Sequence, residues 1–382
     1  MAATMTGDRA CLLRMLAQGL DRPAAAAAAG APADRLAAAA RQCGGIQAQD
    51  LMATRLAANA RVAGLRLPEV IAACDVGQAV VRSWFMRGTL HLVAAQDAPW
   101  MTALLGPVTI ARYRGRRAQL GLDDALCTAA VHALAQVLSA GPLDRKAIMA
   151  GLRADGVPVP GGQAPAHLLI YAACQGVIAR GPDQGAEPTY KLLPPAAPDP
   201  MGSDGPAALA RRYFAAFAPA SAADFSAWSG LPVRACGAAI KSLHSELAEL
   251  AEVVVQGSRM WVPAAWLDSP VDHPPGLWQL LPAFDTYLVG YRHRDLLIDP
   301  AVAGLVYPGG GWIHPAVVRD GRVVGTWRLQ RAGRAGRAGG AATADILLFD
   351  GSTPPAELAT VVAGIGAFLG QPVGMRSVTA LT

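Results

Sequence analysis

The strongest constraint on the fold is an alternation. Helical periodicity runs through the first 250 or so residues and is broken at fairly regular intervals by short apolar or aromatic stretches of strand composition. Residues 8–20, 33–42 and 50–61 read as helices, punctuated by Pro32 and by Gly44-Gly45. Residues 80–86 and 89–93 then form two β-like arms around Arg87-Gly88. Helices, a turn and a two-stranded ribbon make the pattern of a winged helix. It recurs at 123–139, 145–154 (with Asp144 as cap) and 165–176, followed by a ribbon over 177–192. After the Pro-rich linker 194–206 it recurs once more, with helices near 206–218, 221–229 and 232–248 and a ribbon over 253–262. From about residue 275 strands and Gly-rich turns take over. Residues 278–282, 286–289, 312–318, 322–330 and 344–349 are expected to be extended, Asp320-Gly321 to be a hairpin turn, and 355–369 to be a helix. The expected fold is mainly α with β: winged-helix units over 1–120, 121–194 and 204–270, then a small β-barrel or strongly bent sheet with one helix packed on it over 275–382.

A chain of 382 residues with 53% hydrophobic content exceeds what one core usually organises, and it has ample core material. No basic segment followed by an apolar run opens the sequence, and no stretch of about 18 uninterrupted apolar residues occurs, so a cytoplasmic protein is expected. The six cysteines are dispersed, with no C-x-x-C pair; neither a zinc site nor a disulfide framework is expected, and no metal or organic cofactor. The formal charge of +5 is modest, but the arginines cluster. Arg112, Arg114, Arg116 and Arg117 form one group; Arg322, Arg328, Arg331, Arg334 and Arg337 form a second. Such clusters suit a polyanion, whose phosphates guanidinium groups bind bidentately, and they equally suit a solvated surface. Residues 331–342 are low in complexity and read as a mobile loop or hairpin tip.

Within the first unit, residues 44–50 read Gly-Gly-Ile-Gln-Ala-Gln-Asp. Gln47 and Gln49 offer two carbonyl acceptors and two donor groups without net charge. Such a pair can hold a water but cannot strongly deprotonate it, which points to a reaction whose leaving group is already activated. Capping or decorating a helix start is the competing reading.

Three further phrases carry a resemblance. They are Val-Arg-Ser-Trp-Phe-Met-Arg-Gly-Thr-Leu-His at 81–91, Leu-Pro-Ala-Phe-Asp-Thr-Tyr-Leu-Val-Gly-Tyr-Arg-His-Arg at 281–294, and Pro-Ala-Val-Val-Arg-Asp-Gly-Arg-Val-Val-Gly-Thr-Trp at 315–327. Together and in this order they resemble the tandem winged-helix DNA glycosylases of the AlkZ type, over nearly the whole chain. Gln47-Ala48-Gln49 fits that family's Gln-x-Gln signature, while Asp50 lies one residue beyond the position that carries Asp in the other branch. The resemblance implies three winged-helix units and a β-barrel arranged as a C around a positively charged channel for duplex DNA. It implies excision of N7-alkylated guanine, including bulky antibiotic adducts and possible interstrand crosslinks, and a role in self-resistance to DNA-alkylating antibiotics.

Gln47 and Gln49 are then the expected catalytic pair. N7 alkylation makes the guanine cationic, so it leaves neutral without a protein acid, and positioning a water is the main remaining task. No lysine is close in sequence, the nearest being Lys146, so a monofunctional enzyme is expected rather than a Schiff-base lyase. His91 and Arg87 are possible site neighbours; His91 is otherwise a satisfied core histidine, and Arg87 binds phosphate or pairs with a buried acid such as Asp97. Asp285 and Arg294 are expected to form a buried ion pair bracing the barrel, and Trp327 to be a core aromatic. Arg112, Arg114, Arg116 and Arg117, with Arg331, Arg334 and Arg337 on a barrel hairpin, are the expected DNA contacts. The partner is double-stranded DNA carrying alkylated guanine, bound by a monomer that is nucleoid-associated when on DNA. Two other classes fit a winged-helix array: a non-enzymatic DNA-binding regulator, and a protein that sequesters a drug or adduct without turnover.

Overall fold

The computed structural model describes residues 3–21, 30–75, 79–184, 187–194, 205–267, 276–330 and 342–380. A short strand β1 (Ala3–Met5) precedes the helix Gly7–Ala17. Helices Pro32–Gln42, Leu51–Arg61 and Leu67–Asp75 then surround a three-stranded sheet of β2 (Ile46–Gln47), β3 (Val80–Trp84) and β4 (Leu90–Ala94), in the order β2-β4-β3. Helices Asp124–Val137, Arg145–Ala154 and Ala164–Cys174 accompany a second sheet, in which β5 (Leu143–Asp144) pairs with β7 (Glu187–Leu192) and β7 with β6 (Ile178–Gln184). Helices Gly205–Phe217, Ala222–Ser229 and Val233–Lys241 accompany β8 (Leu250–Val255) and β9 (Ser258–Pro263). This third sheet is completed by β1, which lies parallel to β8 with Met5 opposite Val255.

The C-terminal part is a curled half-barrel of five strands, β10 (Trp278–Leu281), β11 (Ala316–Arg319), β12 (Arg322–Gln330), β13 (Ala342–Leu348) and β14 (Val373–Ser377), in that order. The first three pairings are antiparallel and the last is parallel, with a register shift at Val317/Val318. The helix Ala356–Leu369 packs on it, and the strands form a strongly bent open sheet rather than a small barrel. Leu280, Val317, Trp327 and Ile346 of the half-barrel share one core with Leu36, Leu56 and Leu92 of the first array. Trp327 is the core aromatic its sequence suggests, and its indole N–H donates to the Leu281 carbonyl at 2.8 Å.

Several elements depart from expectation. Residues 286–289, expected as a strand, are a short helix because the Asp285 carboxylate accepts the Tyr287 N–H at 2.9 Å and caps it. Regular extension in the 312–318 stretch begins only at Ala316, after a glycine turn. The helix expected over 232–248 ends at Lys241 and continues as a single π turn, Ser242–Glu246. A long helix, Ala98–Arg112, fills a stretch for which no element was expected. No helix among the described residues is long and apolar enough to cross a membrane.

Candidate active site

The Gly-Gly step sets the entry to the site. Gly44 and Gly45 have φ of 68° and 109°, which reverses the chain after the helix Pro32–Gln42, and a Cβ on Gly44 would meet the Trp228 ring at 3.2 Å. The chain then runs into β2, where Gln47 pairs with His91 of β4 and Ala48 N–H donates to Leu90 O at 2.8 Å. Asp50 accepts the Ala53 N–H at 2.6 Å and caps the helix Leu51–Arg61, so its carboxylate holds a helix start rather than a water. The Gln47 backbone is held from the other side: Thr286 Oγ1 accepts the Gln47 N–H and donates to Gly45 O, both at 3.0 Å. Gln47 is therefore buried, at 7% exposure, and Gln49 is exposed.

Arg87 fixes the amide orientation. Its Nη2 donates to Gln47 Oε1 at 3.2 Å, and because a guanidinium only donates, the Gln47 Nε2 group must face the other way, where it donates to Gln49 Oε1. Arg87 Nη1 donates to Trp228 O at 2.8 Å, and Arg112 Nη1 donates in turn to Arg87 O at 2.9 Å. Arg87 itself sits at φ 58°, a left-handed conformation uncommon for a residue with a Cβ. Among the described residues no carboxylate pairs with it. Burial, then the charges of Arg112 and Arg294, push its pKa down to about 10, so it stays protonated at neutral pH. The result is a half-buried cation, with no carboxylate partner among the described residues, behind two neutral amides.

His91 is buried opposite Gln47, on the same side of the sheet. With Nδ1 as donor to Thr89 O at 2.9 Å, its Nε2 is left as an acceptor. Burial and the Arg87 charge push its pKa down to about 3 from an ordinary 6.5. Its contribution to stability is therefore fully present above pH 6.5 and is lost as pH falls toward 3, since only the unfolded chain then takes up the proton. At roughly 1.4 kcal/mol per pH unit this amounts to about 3 kcal/mol by pH 4. Denaturant midpoints measured between pH 7 and 4 should fall more steeply for the wild type than for His91→Gln; equal slopes would mean the imidazole is protonated in the folded protein.

A family model described as DNA glycosylase AlkZ-like matches residues 40–342, a span that contains the glutamine pair, Arg87, His91 and Thr286. The chain belongs to the AlkZ-like DNA glycosylases. It is 28% identical over 267 residues, 65% of this chain and 70% of the relative, to an interstrand DNA cross-link repair glycosylase of Streptomyces sahachiroi. The solved structure of Streptomyces sahachiroi DNA glycosylase AlkZ superimposes with a TM-score of 0.79 at 21% identity, covering 98% of this chain and 100% of that one, so the two share a fold.

Against this AlkZ-like frame, the arginines expected at DNA divide. Arg114 is exposed, 3.6 Å from Asp124, and Arg116 is exposed and donates to the side chains of Gln119 and Gln163. Arg112 clamps the Arg87 loop to Gly230 O, at 3.2 Å. Arg117 departs from expectation: it is buried, donates to Ile110 O at 2.8 Å and lies 4.8 Å over the Tyr171 ring, so it serves the core. Arg331, Arg334 and Arg337 lie outside the described residues. One expected ion pair, Asp285 with Arg294, is replaced, and the alternative pairing of Arg87 with Asp97 does not form. Asp97 is held by Arg41, Arg212 and the Trp100 indole, not by Arg87. Asp285 pairs with Arg61 through two bonds of 2.7 and 2.9 Å, while Arg294 stacks over Tyr307 at 4.0 Å. Thr286 and Arg61 escaped sequence reasoning as site residues; the only signal for Thr286 was its place inside the phrase at 281–294.

Proposed function

We propose that this chain is a monofunctional DNA glycosylase that hydrolyses the N-glycosidic bond of N7-alkylguanine in duplex DNA. The observation that carries the reading is the amide pair itself: Gln47 is oriented by Arg87 and joined to Gln49, with no carboxylate in the network. A neutral pair of this kind is a poor base and a good holder. The open lone pair on Gln49 Oε1, whose carbonyl is already fixed by the Gln47 Nε2–H, holds a water against the anomeric carbon. The water oxygen bonds to that carbon as the bond to N9 breaks, and the electron pair of that bond neutralises the cationic guanine. One water proton is released, leaving neutral alkylguanine and an abasic sugar. The neutral His91 adds no further positive charge beside the oxocarbenium-like sugar.

On this reading the three helix-and-sheet arrays are winged-helix units over 1–120, 121–194 and 204–270, and with the half-barrel domain over 275–382 they line a channel for DNA in a monomeric, cytoplasmic protein. Bulky adducts and interstrand crosslinks are substrates by analogy with the Streptomyces sahachiroi relative, whose description names crosslink repair. Incubation with duplex methylated at N7 of guanine should release free 7-methylguanine and leave alkali-labile sites; a shifted but uncut duplex would instead make the protein a regulator. Arg114 and Arg116 are the phosphate contacts of the first cluster. The Arg114→Ala/Arg116→Ala variant should reduce the slope of log affinity against log salt by roughly 2, and an unchanged slope would assign them to solvated surface.

A further inference from the structure

Trp312 is 64% exposed, an uncommon state for the largest apolar side chain. It closes a tight turn in which Gly309, Gly310 and Gly311 all have positive φ, with Trp312 N–H donating to Gly309 O at 3.0 Å. A Cβ at Gly309 or Gly311 would meet nothing within 4 Å, so the turn stands clear of the rest of the molecule. Among the described residues the indole has one aromatic neighbour, Phe284, with ring centroids 5.8 Å apart, and Phe284 N–H donates to Ile313 O at 3.3 Å. Phe284 is held at φ 57°, a left-handed conformation that a bulky residue adopts only when its surroundings demand it.

This aromatic turn is tied to the glutamine pair by two routes. Phe284 stands two residues before Thr286, whose hydroxyl holds the Gln47 N–H. Tyr307, where the turn begins, is covered by the Arg294 guanidinium at 4.0 Å, and Arg294 is close enough to Arg87 to depress its pKa. The exposed ring thus packs on the segment that presents Thr286 to Gln47. Exposed Arg292 and His293 follow the same short helix.

We propose that Trp312, backed by Phe284, is a stacking platform for a nucleobase unstacked from the duplex beside the lesion. A flat, exposed ring fits a base in DNA, because every base has a π-face and stacking on an aromatic needs no sequence-specific contact. Its role is to hold the helix open on the strand that the water does not attack, so that a bulky guanine adduct need be only partly displaced. The inference rests on the glycosylase reading for its location, and its readout does not require turnover.

The test uses the full chain and a duplex carrying a tetrahydrofuran abasic analogue with 2-aminopurine opposite it. Wild-type binding should quench the 2-aminopurine emission by stacking. Trp312→Ala should abolish the quench and weaken binding to this duplex roughly 5- to 100-fold, while binding to the undamaged duplex stays unchanged, and Trp312→Tyr should restore both. Retained quenching in Trp312→Ala, or equal weakening on damaged and undamaged DNA, overturns the platform. Absence of 7-methylguanine release by the wild type would overturn the glycosylase reading and leave the quench, which needs no hydrolysis, still measurable.

Discussion

Gln49→Ala should lower release of 7-methylguanine by about 10²-fold or more without moving the thermal midpoint, whereas Gln47→Ala should lose activity and stability together. The asymmetry follows from placement. Gln49 is exposed, and its removal strands only the Gln47 amide group, which water can reach at that edge. Gln47 is buried and supplies the acceptor for Arg87 Nη2. Truncating it leaves a half-buried guanidinium donor without its acceptor, a cost of about 1 kcal/mol. The double variant should release nothing detectable. Chromatographic assay of free base, paired with thermal melts of each variant, separates the two losses; an active Gln47→Ala/Gln49→Ala protein would remove the pair from the reaction.

Asp285→Ala should be the most destabilising substitution at the site, by roughly 3–5 kcal/mol. Arg61 and Asp285 are 1% and 0% exposed at the side chain, and Arg61 also donates to Gln18 Oε1 at 3.0 Å and Ala57 O at 3.1 Å. Burial works against the Arg61 charge, and the Asp285 carboxylate more than reverses it, raising the guanidinium pKa above its ordinary value. Removing the carboxylate leaves that charge buried and alone. An Arg61→Met/Asp285→Leu pair should recover most of the lost stability, because apolar replacements remove both desolvation penalties. Activity should not return with it, since Asp285 also caps the turn that presents the Thr286 hydroxyl to Gln47. If the apolar pair is fully active, the ion pair braces the fold without placing Thr286.

The helices and ribbons of the three arrays were legible because amphipathic periodicity and glycine punctuation are local signals. Where local signals conflict, reading fails. Thr286–Val289 is a four-residue run of β-branched, aromatic and aliphatic side chains that strand propensity favours, and a single capping carboxylate from Asp285 makes it helical. Ala98–Arg112 contains Pro99 and Pro107, and its sequence is apolar around nearly the whole circumference although only one side is buried, so it shows neither clean punctuation nor a one-sided apolar stripe. At the site, Gln47 and Gln49 stood out through the Gln-x-Gln resemblance. Their orientation did not, because it depends on Arg87 in a strained turn. Arg117 was grouped with its neighbours by sequence proximity, yet a helix turns each of them in a different direction, and this one points inward onto Tyr171.

The bond between Gln47 and Thr286 spans 239 residues, and the ion pair between Arg61 and Asp285 spans 224. During synthesis the amides leave the ribosome long before the segment that secures them, and the first array emerges with one face of its core still uncovered by the half-barrel. Contacts this distant in sequence form late and slow the search for the native state. A nascent chain therefore has no secured glutamine pair until translation has passed Thr286, and on the proposed reading a truncated product that stops short of it should be unable to cut glycosidic bonds in the genome.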